Sequence, residues 1–169
     1  MELLVDEVDR TLEAYRVELL ERQQIDDLDE QIARFSLLFN LCLWFHDAIY
    51  DPKKADNEVK SNELFQEFAN AVELSEHDQN LVSWVILDTI KHKMTNGPAL
   101  EDPLYKDLSS YFLDADLSIL CASDAVYDDY AERIFLEYEF VGRQTYCEKR
   151  PAVLQNLISA NPYFTSYYR

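Results

Sequence analysis

Glycine is nearly missing from this chain, with two in 169 residues, and proline is sparse at five. Folds built from short strands need turn residues at regular intervals, and no run of alternating β-branched residues stands out here. Leu, Glu and Ala are plentiful instead, and all three favour helix. The expected fold class is all-α, in one domain over residues 1–169, which is long enough to bury a substantial core. Bases are scarce too: fifteen Lys and Arg face thirty-three Asp and Glu, for a formal net charge of −18. That field repels polyanions over a Debye length of about 8 Å at physiological salt, which counts against a nucleic-acid polymer as partner.

Cysteine is limited to Cys42, Cys121 and Cys147, an odd number without a CxxC pair. Such usage suits reduced thiols and a cytoplasmic protein rather than a disulfide framework. A secretory leader is not expected, since Glu2, Asp6, Glu7 and Asp9 fall in the first ten residues. Long apolar runs are missing as well. The best window, Phe35 to Phe45, is broken by Ser36 and Asn40 and falls short of the ~20 residues a membrane span requires.

What is present is helical periodicity. Leu3, Leu4, Val8, Leu12, Tyr15 and Leu19 mark an amphipathic helix over 2–21, and Leu28, Ile32, Phe35, Phe39 and Cys42 mark a central one over about 27–48. Asp51-Pro52-Lys53-Lys54-Ala55 reads as a loop. Asp56 or Asn57 would cap a third helix to about 72, and Ser75, with Asp78 three residues on, a fourth to about Lys93. Thr95-Asn96-Gly97-Pro98 is the clearest turn. Further helices are expected over about 104–120, 124–140 and 143–159, six to seven in all, with a short aromatic tail from Tyr163 to Tyr168.

One stretch carries chemistry. Leu43-Trp44-Phe45-His46-Asp47-Ala48-Ile49-Tyr50-Asp51-Pro52 places an imidazole beside a carboxylate at the end of an apolar helix. Burying such a pair costs several kcal/mol unless hydrogen bonds, a charge or a metal ion compensates. His92 follows Asp88 by one turn, so that carboxylate could fix its tautomer, although a helix-terminal histidine meeting the dipole is the blander account. His77, in an acidic first turn, reads as solvated. In Phe112-Leu113-Asp114-Ala115-Asp116-Leu117 one aspartate should point inward at helical spacing, either to cap or meet a lysine, or to bind a metal.

Taken in order, His46-Asp47-Ala48-Ile49-Tyr50-Asp51-Pro52, Asp56-Asn57-Glu58 with Ser61, Thr89 with His92, and Phe112-Leu113-Asp114-Ala115-Asp116-Leu117 resemble the metal-dependent phosphohydrolases of the HD superfamily. The resemblance runs through most of the chain. It implies an HD-type helical domain in which His46 and Asp47 are paired metal ligands and Asp116 the distant one, with His92 as an auxiliary ligand or phosphate contact. A site of imidazole, carboxylates and water suits Mn²⁺, Fe²⁺, Co²⁺, Ni²⁺ or Mg²⁺. The implied reaction is hydrolysis of a small phosphorylated substrate such as a nucleotide by metal-activated water. Glu58, ahead of Asp51, is the candidate base. Asn57, Lys53, Lys54 and Lys91 are candidate substrate contacts. Lys60 and Lys93 lie in the same segments, and a merely solvated face is the alternative for these lysines. Arg133, Arg143 and Arg150 are further cations without motif support.

The family pattern also has an upstream histidine-bearing helix, and this sequence begins at Met1-Glu2-Leu3-Leu4, where that string should end. The expectation is a longer natural chain, with a decayed site as the alternative. His92 by its position in space, or another subunit of a homo-oligomer, are the other sources for the second imidazole. A non-catalytic scaffold whose acidic surface docks a partner, or a nucleotide sensor, is the rival reading.

Overall fold

Seven α-helices account for most of the backbone of the computed structural model, which describes residues 2–22, 26–95 and 98–160. They are α1 (Glu2–Glu21), α2 (Leu28–Phe45), α3 (Asn57–Ala71), α4 (Glu76–Asp88), α5 (Pro103–Asp116), α6 (Asp124–Glu137) and α7 (Arg143–Ala160). Short 3-10 turns occupy Pro98–Glu101, Ser118–Cys121 and Glu139–Val141. Among the described residues there is no strand, so the all-α expectation holds. No described helix is long and apolar enough to cross a membrane. The turn expected at Asn96-Gly97 and the aromatic segment from Tyr163 to Tyr168 lie outside the described residues.

α2 is the central helix and packs against α1, α3, α4 and α5. Phe35, Leu38, Phe39 and Cys42, spaced three, one and three, are fully buried, as expected for a stripe facing several neighbours. The stripe does not extend all round: Leu37 is 52% and Trp44 78% exposed. Aromatic rings join three helices into one spine. Tyr15 of α1 stacks on Phe35 with centroids 3.9 Å apart, Phe35 lies 5.8 Å from Phe39, and Phe39 meets Phe112 of α5 edge-on at 5.7 Å. Phe112 in turn lies 5.3 Å from the His46 ring. Core packing therefore runs directly into the segment singled out by sequence. At the other end of α1, Arg22 donates from both guanidinium nitrogens to Asp107 of α5, at 2.8 and 3.0 Å, and Tyr111 donates to Glu18 at 2.6 Å.

Capping sets several of the boundaries. Ser75 accepts the Asp78 amide at 3.1 Å, as the sequence suggested. Asp102 accepts the Leu104 and Tyr105 amides at 2.8 and 3.3 Å with Pro103 in the first turn, an N-terminus whose Asp-Pro signal was there to be read. Four helices stop earlier than their periodicity suggests; α5, for one, ends at Asp116 rather than near residue 120. α2 ends at Phe45, with His46 as its C-cap. α4 ends at Asp88 rather than near Lys93, because the Asp88 carbonyl takes the amides of Lys91 and Lys93, both at 3.2 Å, and Thr89 bonds back to the Ile86 carbonyl at 2.6 Å. α6 gives way to a 3-10 turn, and Gly142 at φ 80° then starts α7.

From Ala122 onward no described side chain is buried. α6 and α7 instead rest on the 3-10 turns and reach back to the loop after α2. Tyr50 donates to Glu137 at 2.9 Å, and the Lys53 ammonium lies 5.2 Å from the centre of the Phe140 ring. That loop is the one that carries the His46–Asp51 string.

Candidate metal centre

Three chain ends meet beside α2. The C-cap of α2 is His46, with Asp47 next in the loop, the last residue of α5 is Asp116, and the loop after α4 brings His92. The Nε2 atom of His46 lies 3.5 Å from both Asp47 Oδ2 and Asp116 Oδ1, while Asp116 Oδ2 lies 3.0 Å from His92 Nε2. Asp116 thus bridges two imidazoles. The side chains of His46 (17% exposed), Asp116 (21%) and His92 (23%) are recessed, and Asp47, at 55%, faces out. The cluster opens to solvent on the Asp47 side.

The other ring nitrogen of His46 decides its tautomer. Nδ1 lies 3.1 Å from the Leu43 carbonyl and 3.2 Å from that of Cys42. A carbonyl can only accept, so Nδ1 carries a proton in either charge state, and Nε2 faces the carboxylates: it donates to them when the ring is charged and offers a lone pair for a metal when the ring is neutral. This is the arrangement by which a backbone carbonyl orients a metal-binding imidazole. His92 reaches Asp116 from a left-handed backbone position, φ 47°, which costs a residue with a Cβ roughly 1–2 kcal/mol.

Electrostatics concentrate negative charge here. Burial pushes the Asp116 carboxyl upward, yet its hydrogen bonds to His46 and His92 hold it well below the usual carboxylate range. Burial also works against protonated His46, but Asp116, Asp47 and the Leu43 carbonyl outweigh it and the imidazole is raised. Asp47 is pushed up by burial, with Asp116 and Glu58 adding to the shift against the pull of His46 and His92. Glu58, in the first turn of α3, is therefore close enough to be felt at Asp47. Three carboxylates around two imidazoles favour a cation.

The donor set also suits a divalent ion in spacing. Two ligands bound side by side on an octahedral ion at about 2.1 Å lie about 3 Å apart, close to the 3.0 and 3.5 Å separations found. Asp116 contacts both rings directly, and among the described residues no group of three or more His, Cys, Asp or Glu side chains is placed to hold a metal ion as they stand. Adjustment of the outward Asp47 and of Asp116 is what the fit demands.

The remaining sequence candidates divide. Asn57 is buried and spends both ends of its carboxamide on the loop: its oxygen accepts the Asp51 amide at 3.0 Å and its nitrogen donates to the Asp51 carbonyl at 2.9 Å. Ser61, one turn further along α3, does the same for Ile49, accepting its amide at 3.0 Å and donating to its carbonyl at 3.3 Å. These two side chains pin the backbone that follows Asp47. Asp51 turns its carboxylate to the Lys53 amide at 3.0 Å and the Lys54 ammonium at 3.7 Å, and no hydrogen bond or ion pair joins it to His46, Asp47, His92 or Asp116. Lys60 pairs with Asp56 at 2.7 Å, and Lys91 is exposed on the His92 loop. Arg133 pairs with Asp129 at 2.8 Å, while Arg143 and Arg150 lie over Phe135 and Tyr130. His77 meets Asp102 at 3.3 Å rather than being wholly solvated.

Two readings change. The Asp88 carboxylate does not bond the His92 ring to fix its tautomer: α4 ends at Asp88, and its buried carboxylate is bonded to Thr95, Tyr105 and Ser109. Asp114 and Asp116 are both recessed, but Asp114 lines a cleft of about 990 Å³ between α1 and α5 with Arg22, Asp107 and Tyr111. The residues gathered around Asp116 do not line that cleft. Compared with protein-family models, curated proteins and solved structures, the chain finds no match.

Proposed function

We propose that this chain is a metal-dependent phosphohydrolase acting on a small phosphorylated metabolite, with a nucleotide as the first candidate. The observation that carries the reading is the His46 imidazole, tied at Nδ1 to backbone and turned at Nε2 toward Asp47 and Asp116. His46, Asp47 and Asp116 would hold a divalent ion (Mn²⁺, Fe²⁺, Co²⁺, Ni²⁺ or Mg²⁺), with His92 as the auxiliary nitrogen. Such an ion supplies Lewis acidity toward a phosphoryl oxygen and a lowered pKa for water. Glu58, in the first turn of α3 and near enough for its charge to act on Asp47, accepts the proton of the attacking water. Asp51, committed to Lys53 and Lys54, ranks behind it. Lys53, Lys54 and Lys91 offer positive charge to the phosphate in an otherwise acidic molecule, and Asn57 holds the loop that carries the first two. Free Cys42, Cys121 and Cys147 suit a reducing, cytoplasmic setting. A homo-oligomer in which a second copy lends a further imidazole extends the same reading.

One observation favours a second account, a non-catalytic scaffold: Asp116 is already satisfied by its two imidazoles. A hydrolysis screen of phosphorylated metabolites with each metal, before and after chelation, separates the two. Metal-dependent phosphate release is expected, lost on chelation and lowered about 10²- to 10⁴-fold by Glu58→Gln, the range for removal of a general base. Release that survives chelation, or no release with any metal and substrate, would contradict the hydrolase reading.

A further inference from the structure

Asp88 is fully buried, and among the described residues no hydrogen bond or ion pair ties it to a base. Its Oδ1 accepts from the Thr95 amide at 2.8 Å and the Thr95 hydroxyl at 2.9 Å, and its Oδ2 from the Tyr105 hydroxyl at 2.6 Å and the Ser109 hydroxyl at 2.9 Å. Its own carbonyl takes the amides of Lys91 and Lys93, each at 3.2 Å. Six donors thus converge on one residue, four from the loop that carries His92 and two from α5, which carries Asp116. A carboxylate in a core helix is costly without such bonds, and an apolar residue of like volume would cost less. Left-handed His92 also needs an outside restraint, since a backbone in that region persists only where its surroundings hold it. The two facts explain each other.

We propose that Asp88 is the positioning residue of the site: it folds the Lys91–Thr95 loop back onto the end of α4 and locks it to α5, so that His92 Nε2 meets Asp116. Its consequence for metal binding rests on the metal-centre reading, whereas the placement of His92 is measurable without metal. Thr95 is exposed, so Thr95→Val removes the hydroxyl donor at little risk to folding, and Thr95→Ser keeps it. Asp88→Asn keeps the shape while replacing one acceptor oxygen with a donor.

The test follows the His92 ring signal by ¹H–¹³C NMR in the metal-free full chain, assigned by its loss in His92→Gln, and measures Mn²⁺ affinity on the same samples. Asp88→Asn and Thr95→Val should move the His92 signal toward its position in Asp116→Asn. They should also weaken Mn²⁺ binding about tenfold, the low end for loss of an outer-shell partner, and Thr95→Ser should restore both. An unmoved His92 signal in Thr95→Val and in any folded Asp88→Asn, with only a lower melting temperature, would overturn the proposal and leave Asp88 a structural hub. A moved signal in a protein that binds no Mn²⁺ would uphold the positioning role while refuting the metal centre.

Discussion

Asp116→Asn is expected to weaken divalent-metal binding by more than about a hundredfold, beyond what loss of an outer-shell partner alone produces, and to destabilise the metal-free protein by about 2 kcal/mol, the scale for a hydrogen bond to a charged group. Asp116 is the residue on which His46 and His92 converge, so the substitution removes both the anionic ligand and the counter-charge of the two rings. The two effects depend on pH in opposite ways. The Asp116 carboxyl is depressed from its ordinary 3.8, so its contribution is present above that value and is lost as pH falls through the folded pKa. The His46 imidazole is raised from 6.5, so its contribution is complete below that value and is lost as pH rises through the folded one. The stability cost of Asp116→Asn in metal-free protein should therefore be largest between 3.8 and 6.5. Metal affinity should instead rise with pH, since a ligating imidazole must be neutral. Chemical unfolding of wild type and variant across this range, with Mn²⁺ titrations alongside, checks both signs; a cost that does not vary with pH would contradict the ion-paired cluster.

Phe112→Ala should be the most damaging single truncation near the site, at about 3–5 kcal/mol, or roughly 10 °C in melting temperature for a domain of this size. Phe112 is fully buried, contacts Phe39 edge-on at 5.7 Å and backs the His46 ring at 5.3 Å. Its loss opens a cavity where the aromatic spine meets the cluster, so His46 gains freedom as the core loosens, and metal affinity falls with stability. Trp44→Ala, at the end of α2 and two residues before His46 but 78% exposed, should cost less than about 1 kcal/mol. Thermal denaturation of the two variants separates burial from mere proximity. Equal losses would mean that the spine does not support the site.

The contrast between Phe112 and Trp44 shows how far the sequence alone could be read. Helices were expected over all seven stretches, most firmly where an apolar stripe records them in one dimension, as Leu28, Ile32, Phe35, Phe39 and Cys42 do for α2. Boundaries were less legible. The end of α4 depends on Asp88 and Thr89 choosing other partners, and the left-handed turn at His92 falls on a residue type that gives no warning of it. In the site, the i,i+4 spacing of Asn57 and Ser61 was visible, yet nothing in that spacing said that both would hold Asp51 and Ile49. The Asp88–Tyr105–Ser109 cluster spans separations of 17 and 21 residues, and only the packing of α4 on α5 brings it together. His46, Asp47 and Asp116 stood out because charged groups in apolar surroundings are improbable without a purpose.

The most direct experiment is calorimetric titration of metal-stripped wild type and Asp47→Ala with Mn²⁺, Co²⁺ and Ni²⁺, together with elemental analysis of both proteins as purified. A metal centre at His46, Asp47 and Asp116 predicts saturable binding of one ion per chain in wild type and its loss in Asp47→Ala, with both proteins equally helical. Binding that is equal in the two proteins, or missing from wild type, would contradict the account and leave the cluster a structural ion pair.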